Sequence, residues 1–173
     1  MKRKIKIVEY TSGRKTFFYS IAFVNDAGEV EKNITDSFME EKYSKYKNDI
    51  QEFGQLINDI KERHGADVLR HEGDGKERKA LVALPPKSTE TSVSIKSKSR
   101  LRIFCLKLNT GVVILGGGCY KPHRNIGSNR YQDFPECEKS AEILEQIYKN
   151  LDHNEDYNEA IIFDLNKTFE ITI

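Results

Sequence analysis

The first residues alternate polar and apolar. Lys4 to Tyr10, KIKIVEY, places every second side chain on one face, as a half-buried strand does, and Ser12-Gly13 follows as a turn signal. The stretch TFFYSIAFVN, residues 16 to 25, is rich in aromatic and β-branched residues that favour a strand. Asp26-Ala27-Gly28 then offers a turn into EVEKNI, so a hairpin is expected there. From Thr35 the period changes. Met39, Tyr43, Tyr46, Ile50, Phe53, Ile57 and Ile60 recur at alternating spacings of four and three, which lines them up along one stripe of a helix. Residues 36 to 64 are therefore predicted as one long helix or a helical hairpin that packs on a sheet and is stopped by Gly65, with Asn48 and Gly54 as places where it can break.

Beyond the helix, Val68-Leu69 and the run ALVAL flank a polar, glycine-containing turn at 72 to 79, and Pro85-Pro86 ends the run because proline cannot continue a central strand. Residues 87 to 99 are rich in Ser, Thr and Lys and read as a mobile loop or an edge strand. The strongest strand signals follow. RLRIFCLKL, 100 to 108, and GVVIL, 111 to 115, flank Asn109-Thr110 as a tight hairpin. Alternation places Arg100, Arg102, Phe104, Leu106 and Leu108 on one face, and Leu101, Ile103, Cys105 and Lys107 on the other. The run VVIL has no polar alternation and is expected to be buried on both faces.

A basic loop, 119 to 132, then leads to a second helix. Asp133 is placed to cap it, Pro135 suits its first turn, and Ile143, Leu144, Ile147 and Leu151 form its apolar stripe. DHNEDYNE, 152 to 159, reads as a solvated acidic loop, and AIIFDL and TFEITI, joined by Asn166-Lys167, as a closing hairpin. The order of elements is that of an α+β fold: a mainly antiparallel sheet packed by the long helix (or helical hairpin) and by a second, C-terminal helix. At 173 residues a single domain, 1 to 173, is expected, and no internal repeat is visible.

Charge sharpens this picture. The formal net charge is only +1, yet between Glu90 and Asp133 there is no acidic residue. Lys96, Lys98, Arg100, Arg102, Lys107, Lys121, Arg124 and Arg130 all lie in that stretch, leaving 20 basic and 27 acidic residues elsewhere. Such segregation is what a polyanion-binding face requires, because contacts from Lys and Arg to phosphate dominate nucleic-acid affinity. No run approaches the length of a membrane span and the basic start lacks an apolar signal core, so a soluble, cytoplasmic protein without membrane association is expected. Cys105, Cys119 and Cys137 are odd in number and lack a C-x-x-C spacing, which argues against a disulfide framework and a four-ligand zinc site.

The segment GVVILGGGCYKPHR, 111 to 124, poses the functional question. A phosphate loop of the form G-x-x-x-x-G-K-[ST] needs a helix after its lysine, whereas Lys121 is followed by Pro122; the dinucleotide fingerprint also fails, because Gly116, Gly117 and Gly118 are contiguous. The glycines are instead expected to permit a bulge or a close backbone approach. Across a tight hairpin the end of the second strand lies beside the start of the first, so Arg100, Arg102, Lys121 and His123 can converge on one phosphate. Arg and Lys would stabilise charge there and His123 would move a proton near neutral pH. Lys98, Arg124 and Arg130 would extend the cationic surface, and Tyr120 and Tyr131 could stack on bases. The four histidines are scattered and the basic segment lacks carboxylates, so no metal and no cofactor is expected. Phosphodiester chemistry without a metal favours RNA, whose 2′-OH supplies an internal nucleophile.

The segment LRIFCLKLNTGVVILGGGCYKP resembles the RelE/HigB-like toxin superfamily, in which a strand carrying an arginine turns into an apolar strand followed by a basic stretch. The resemblance implies a RelE-like core over roughly 36 to 150, with 1 to 34 and 158 to 173 as additions. It implies a bacterial, metal-independent endoribonuclease acting on RNA, including ribosome-bound messenger RNA, and neutralised by an antitoxin protein. Arg102 then matches the arginine that steadies the phosphate, Lys121 matches the basic residue after the apolar strand, and His123 is a proton-transfer candidate by position. The chain is longer than the minimal toxin pattern and its triple glycine is unusual there. A non-catalytic module whose basic loop holds RNA or an acidic protein is the alternative, and a small-molecule phosphate binder a third.

Overall fold

The computed structural model describes residues 1–69, 81–84, 101–108, 111–120, 135–151 and 167–173. Among them seven strands form one sheet: β1 (Lys2–Ser12), β2 (Phe17–Val24), β3 (Val30–Asn33), β4 (Leu81–Leu84), β5 (Leu101–Lys107), β6 (Val112–Tyr120) and β7 (Thr168–Thr172). The order across the sheet is β4-β5-β6-β2-β1-β7, with β3 paired to the far end of β2. Every pairing is antiparallel except β2 with β6, which run parallel over Phe17–Tyr19 and Val112–Ile114. The expected α+β architecture with a mainly antiparallel sheet is therefore what forms. The first hairpin closes as its sequence requires, with Gly28 at φ 83° in a turn where its amide donates to the Asn25 carbonyl.

Two helices cover the sheet, one on each face. α1 (Ile34–Asp59) begins at Asn33, whose side chain accepts from the Asp36 amide as an N-cap. It continues through a π-helical turn, Ile60–His64, and stops at Gly65, φ 75°. α1 packs Phe38, Met39, Phe53, Leu56, Ile57 and Ile60 against Phe18, Val82, Leu84, Leu101, Ile103, Cys105, Val113 and Leu115. α2 (Pro135–Asn150) packs Ala141, Ile143, Leu144 and Ile147 against the opposite face, which carries Ile5, Ile7, Ile21, Phe104, Leu106 and Ile114. The alternation read from β5 holds across Leu101–Leu106: odd-numbered residues join the α1 core and Phe104 and Leu106 the α2 core. Leu144 and Ile147, like the run Val113 to Leu115, are fully buried, as their patterning required.

Three expectations need correction. The helix departs from helical geometry at Tyr46 (φ −128°, ψ 37°), not at Asn48 or Gly54. The apolar stripe keeps its phase through the irregularity, with Met39, Phe53, Ile57 and Ile60 buried and Tyr46 and Ile50 packed against the same core; Tyr43 alone, expected inside, is 46% exposed. Gly54 keeps helical geometry despite its backbone freedom, and the break sits instead at Tyr46, whose ring packs against the core on the α1 face. The second strand of the central hairpin does not end at Leu115 but runs through the glycines to Tyr120, so Cys119 and Tyr120 belong to the sheet rather than to the basic loop. Finally, Cys119 is disulfide-bonded; an odd cysteine count argues against complete pairing but leaves room for a single pair. Cys105 is a buried thiol on the α1 side.

The triple glycine is explained by packing. The β5–β6 register shifts between Ile103↔Gly118 and Cys105↔Leu115, so a bulge falls in the glycine stretch. A Cβ at Gly116 would stand 2.8 Å from Leu144 Cδ1, and one at Gly117 3.0 Å from Ser140 Oγ, both on α2. A Cβ at Gly118 would overlap the Arg102 carbonyl oxygen and come within 3.0 Å of Phe38 Cε1 on α1. Thr35 Oγ1 donates to the Gly116 carbonyl at 2.9 Å and so must accept from Ser20 Oγ at 2.7 Å, which ties the start of α1 to β2 and β6 through buried hydroxyls.

Gly118→Ala is expected to destabilise the fold by at least about 2 kcal/mol, since the obstructing atom is backbone, whereas Gly117→Ala, which meets only a movable serine, should cost under about 1 kcal/mol. Urea denaturation of the two variants checks the ranking; equal losses would contradict it.

Candidate nucleic-acid interface

The predicted interface lies where the β5–β6 hairpin opens away from its turn. Leu101 pairs with Tyr120 and Arg102 with Cys119, so the last residues of β6 stand beside the first of β5, as the hairpin argument required. Of the nine candidate residues, Arg102 and Tyr120 fall in these strands. Lys98, Arg100, Lys121, His123, Arg124, Arg130 and Tyr131 lie outside the described residues, as does the Asn109-Thr110 turn.

The two described candidates do not point the same way. Tyr120 packs at the border of the α1 core, while Arg102 follows Leu101, an α1-side residue, and precedes Ile103, another, and so projects to the α2 face. Arg102 is half-buried, and its Nη1 donates to the Leu101 carbonyl at 2.9 Å. A guanidinium has five N–H donors, and this bond, using one of them, steadies the side chain.

Tyr120 has a partner that no motif revealed. Its ring stacks on Tyr46 of α1, with centroids 4.4 Å apart and planes 22° from parallel. The irregular backbone at Tyr46 is what delivers that ring to the end of β6. Lys45 Nζ lies 5.4 Å from the centre of the Tyr46 ring. Lys42 is placed differently: it bonds Glu41 at 2.7 Å and reaches Glu136 of α2 at 3.7 Å. The hydrogen bond to Glu41 is the main reason its ammonium is held above the ordinary lysine pKa, with burial opposing and the Glu136 charge adding to it.

A second polar site lies on the α1 face at the far end of β1. A cleft of about 440 Å³ is lined by Tyr10, Asn33, Asp36, Phe53, Ile57 and Lys61 among others. Burial, together with the charge of Asp36 and a hydrogen bond to it, pushes the Tyr10 phenol up to about 12. Lys61 Nζ donates to Thr11 Oγ1 at 3.0 Å on the cleft wall. Tyr10 and Asp36 stand 26 positions apart with no spacing signal between them; the fold alone brings them together. Among the described residues no three His, Cys, Asp or Glu side chains gather as a metal site would need, and no helix is long and apolar enough to cross a membrane.

No family model, curated protein or solved structure matches the chain.

Because folding raises the pKa of Tyr10, the neutral phenol is favoured in the native state. Its stabilising contribution is complete below pH 10 and is lost as pH rises through about 12. Ultraviolet titration should show one tyrosine ionising near that upper value in the wild type and absent in Tyr10→Phe, whose stability should also fall less between pH 10 and 12. A Tyr10→Phe titration identical to wild type would contradict the assignment.

Proposed function

We propose that the protein binds RNA at the open end of the β5–β6 hairpin and acts there as a toxin-like, metal-independent endoribonuclease. The observation that carries the reading is the register Leu101↔Tyr120 and Arg102↔Cys119, which sets Arg102 beside the strand end from which the cationic run of Lys121, His123 and Arg124 departs. A 42-residue stretch without a single carboxylate surrounds that point. The resemblance of this hairpin to RelE/HigB-like toxins supports the same reading, and it brings with it an antitoxin protein as the expected partner.

The chemistry needs no metal. The 2′-oxygen of one nucleotide attacks the adjacent phosphorus and the 5′-oxygen of the next nucleotide leaves, giving a 2′,3′-cyclic phosphate and a 5′-hydroxyl. Arg102 and Lys121 offset the charge that builds on the non-bridging oxygens, and His123 is the group suited to accept the 2′-OH proton or protonate the leaving oxygen. A non-catalytic RNA-binding module is the second reading, favoured by one observation: Arg102 and Tyr120 project to opposite faces of the sheet, so β5 and β6 do not present them to one phosphate together.

The wild type, expressed in bacteria, is expected to slow growth, and the purified protein to cleave RNA in the presence of EDTA. Arg102→Ala/Lys121→Ala should reduce cleavage by about 100-fold or more. Equal growth with no cleavage by the wild type rejects the enzyme, and salt-sensitive RNA binding without turnover then identifies the binding module.

A further inference from the structure

We infer that residues 42 to 47 of α1, Lys-Tyr-Ser-Lys-Tyr-Lys, form a stacking surface for single-stranded RNA that continues the interface from Tyr120 onto the helix. The inference rests on the RNA-binding reading and says where the strand runs: along the α1 face of the sheet.

Four features of this segment point the same way. It carries three lysines and two tyrosines in six residues and no carboxylate, the interleaving of cation and aromatic that single-stranded nucleic acid requires, with phosphates on the cations and bases on the rings. Its backbone is irregular at Tyr46, inside an otherwise regular helix, and a conformation of that kind persists only where neighbouring structure holds it. Here the holding contact is the stack of Tyr46 on Tyr120, which joins the helix to the strand end already assigned to RNA. Tyr43, three residues before Tyr46, is 46% exposed although its place in the apolar stripe predicts burial, so a large aromatic side chain reaches solvent close in sequence to the stacked pair.

The lysines divide by role. Lys42 is held between Glu41 and Glu136 and fixes this turn of α1 against α2. Lys45 and Lys47 are exposed, and Lys45 stands over the Tyr46 ring. The two carboxylates just before the segment are offset: Glu41 by Lys42 and Glu40 by an ion pair with Lys32. Lys45 and Lys47 are thus the exposed cations next to Tyr43 and Tyr46 in the sequence, and Asp49 is the next carboxylate along the helix. Stacking is tolerant of base identity because every base has a π-face, so the surface would grip an unpaired strand without selecting its sequence. An acidic protein could satisfy the lysines and leave the exposed Tyr43 ring without a planar partner, which is why RNA is the occupant proposed.

The chain contains no tryptophan, so Tyr43→Trp introduces a single fluorescent reporter at the stacking position. An unstructured 12-nucleotide oligoadenylate is expected to quench its emission, while heparin, a polyanion without bases, should leave it unchanged. In the same background Lys45→Glu/Lys47→Glu should weaken oligoadenylate binding by about tenfold or more and flatten the dependence of log affinity on log salt by about 1.4, the value for two phosphate contacts on a single strand. Filter retention of labelled oligoadenylate by the wild type separates the two claims. Retention with unaltered tryptophan emission, equal quenching by heparin, or undiminished binding by the charge-reversed variant overturns the stacking surface and leaves RNA binding standing. No retention at all overturns both.

Discussion

Three consecutive residues without side chains let two helices close on one strand from opposite sides, and the arrangement of the molecule follows from that approach. At Gly116 and Gly117 the space a Cβ would need is taken by Leu144 and Ser140 of α2; at Gly118 it is taken by the β5 backbone and Phe38 of α1. The bulge that falls in the same stretch is anchored by a buried hydroxyl relay from Ser20 through Thr35 to the Gly116 carbonyl. The middle of β6 is thus pressed by both helices, while its beginning lies parallel to β2 and it pairs with β5 from Val113 to Tyr120.

This packing determines what the end of β6 can do. β6, packed from both faces, ends at Tyr120 beside Leu101 and Arg102, and the cations that follow in sequence come directly after that point. The stack of Tyr120 on Tyr46 lies at the same strand end, where α1 departs from helical geometry, and Tyr43 is exposed three residues earlier. The basic segment of the sequence and the aromatic step on α1, in the proposed reading, serve the same end of the hairpin. In the proposed reading, stability is concentrated in the glycine strand and recognition at its exit.

Much of this architecture was legible in the residues. The strands of the first hairpin, the long helix up to Gly65, the face assignment within β5 and the buried stripe of α2 all follow from periodicity, because each of those elements buries a single stripe or face against a single neighbour. The glycine stretch was legible as backbone latitude but not as strand, since its pairing is supplied by β5 and by no propensity of its own. Tyr46 was the harder case. Spacing placed it on an apolar stripe, which it keeps, but the break in the helical backbone there coincides with a tertiary contact to Tyr120, 74 positions later, that spacing does not show. The cleft at Tyr10 and Asp36 left no trace in the sequence for the same reason: its groups meet through the sheet and the start of α1, not through spacing.

The central claim is that the glycines are a packing device and that anions are met beyond them. Backbone amide chemical shifts followed during titration with a short RNA test it directly. The account predicts large changes at Arg102, Tyr120 and residues 43 to 47, and shifts near zero at Gly116, Gly117 and Gly118. The opposite pattern, with the glycine amides moving most and the strand exit unchanged, would restore the phosphate cradle and contradict the account.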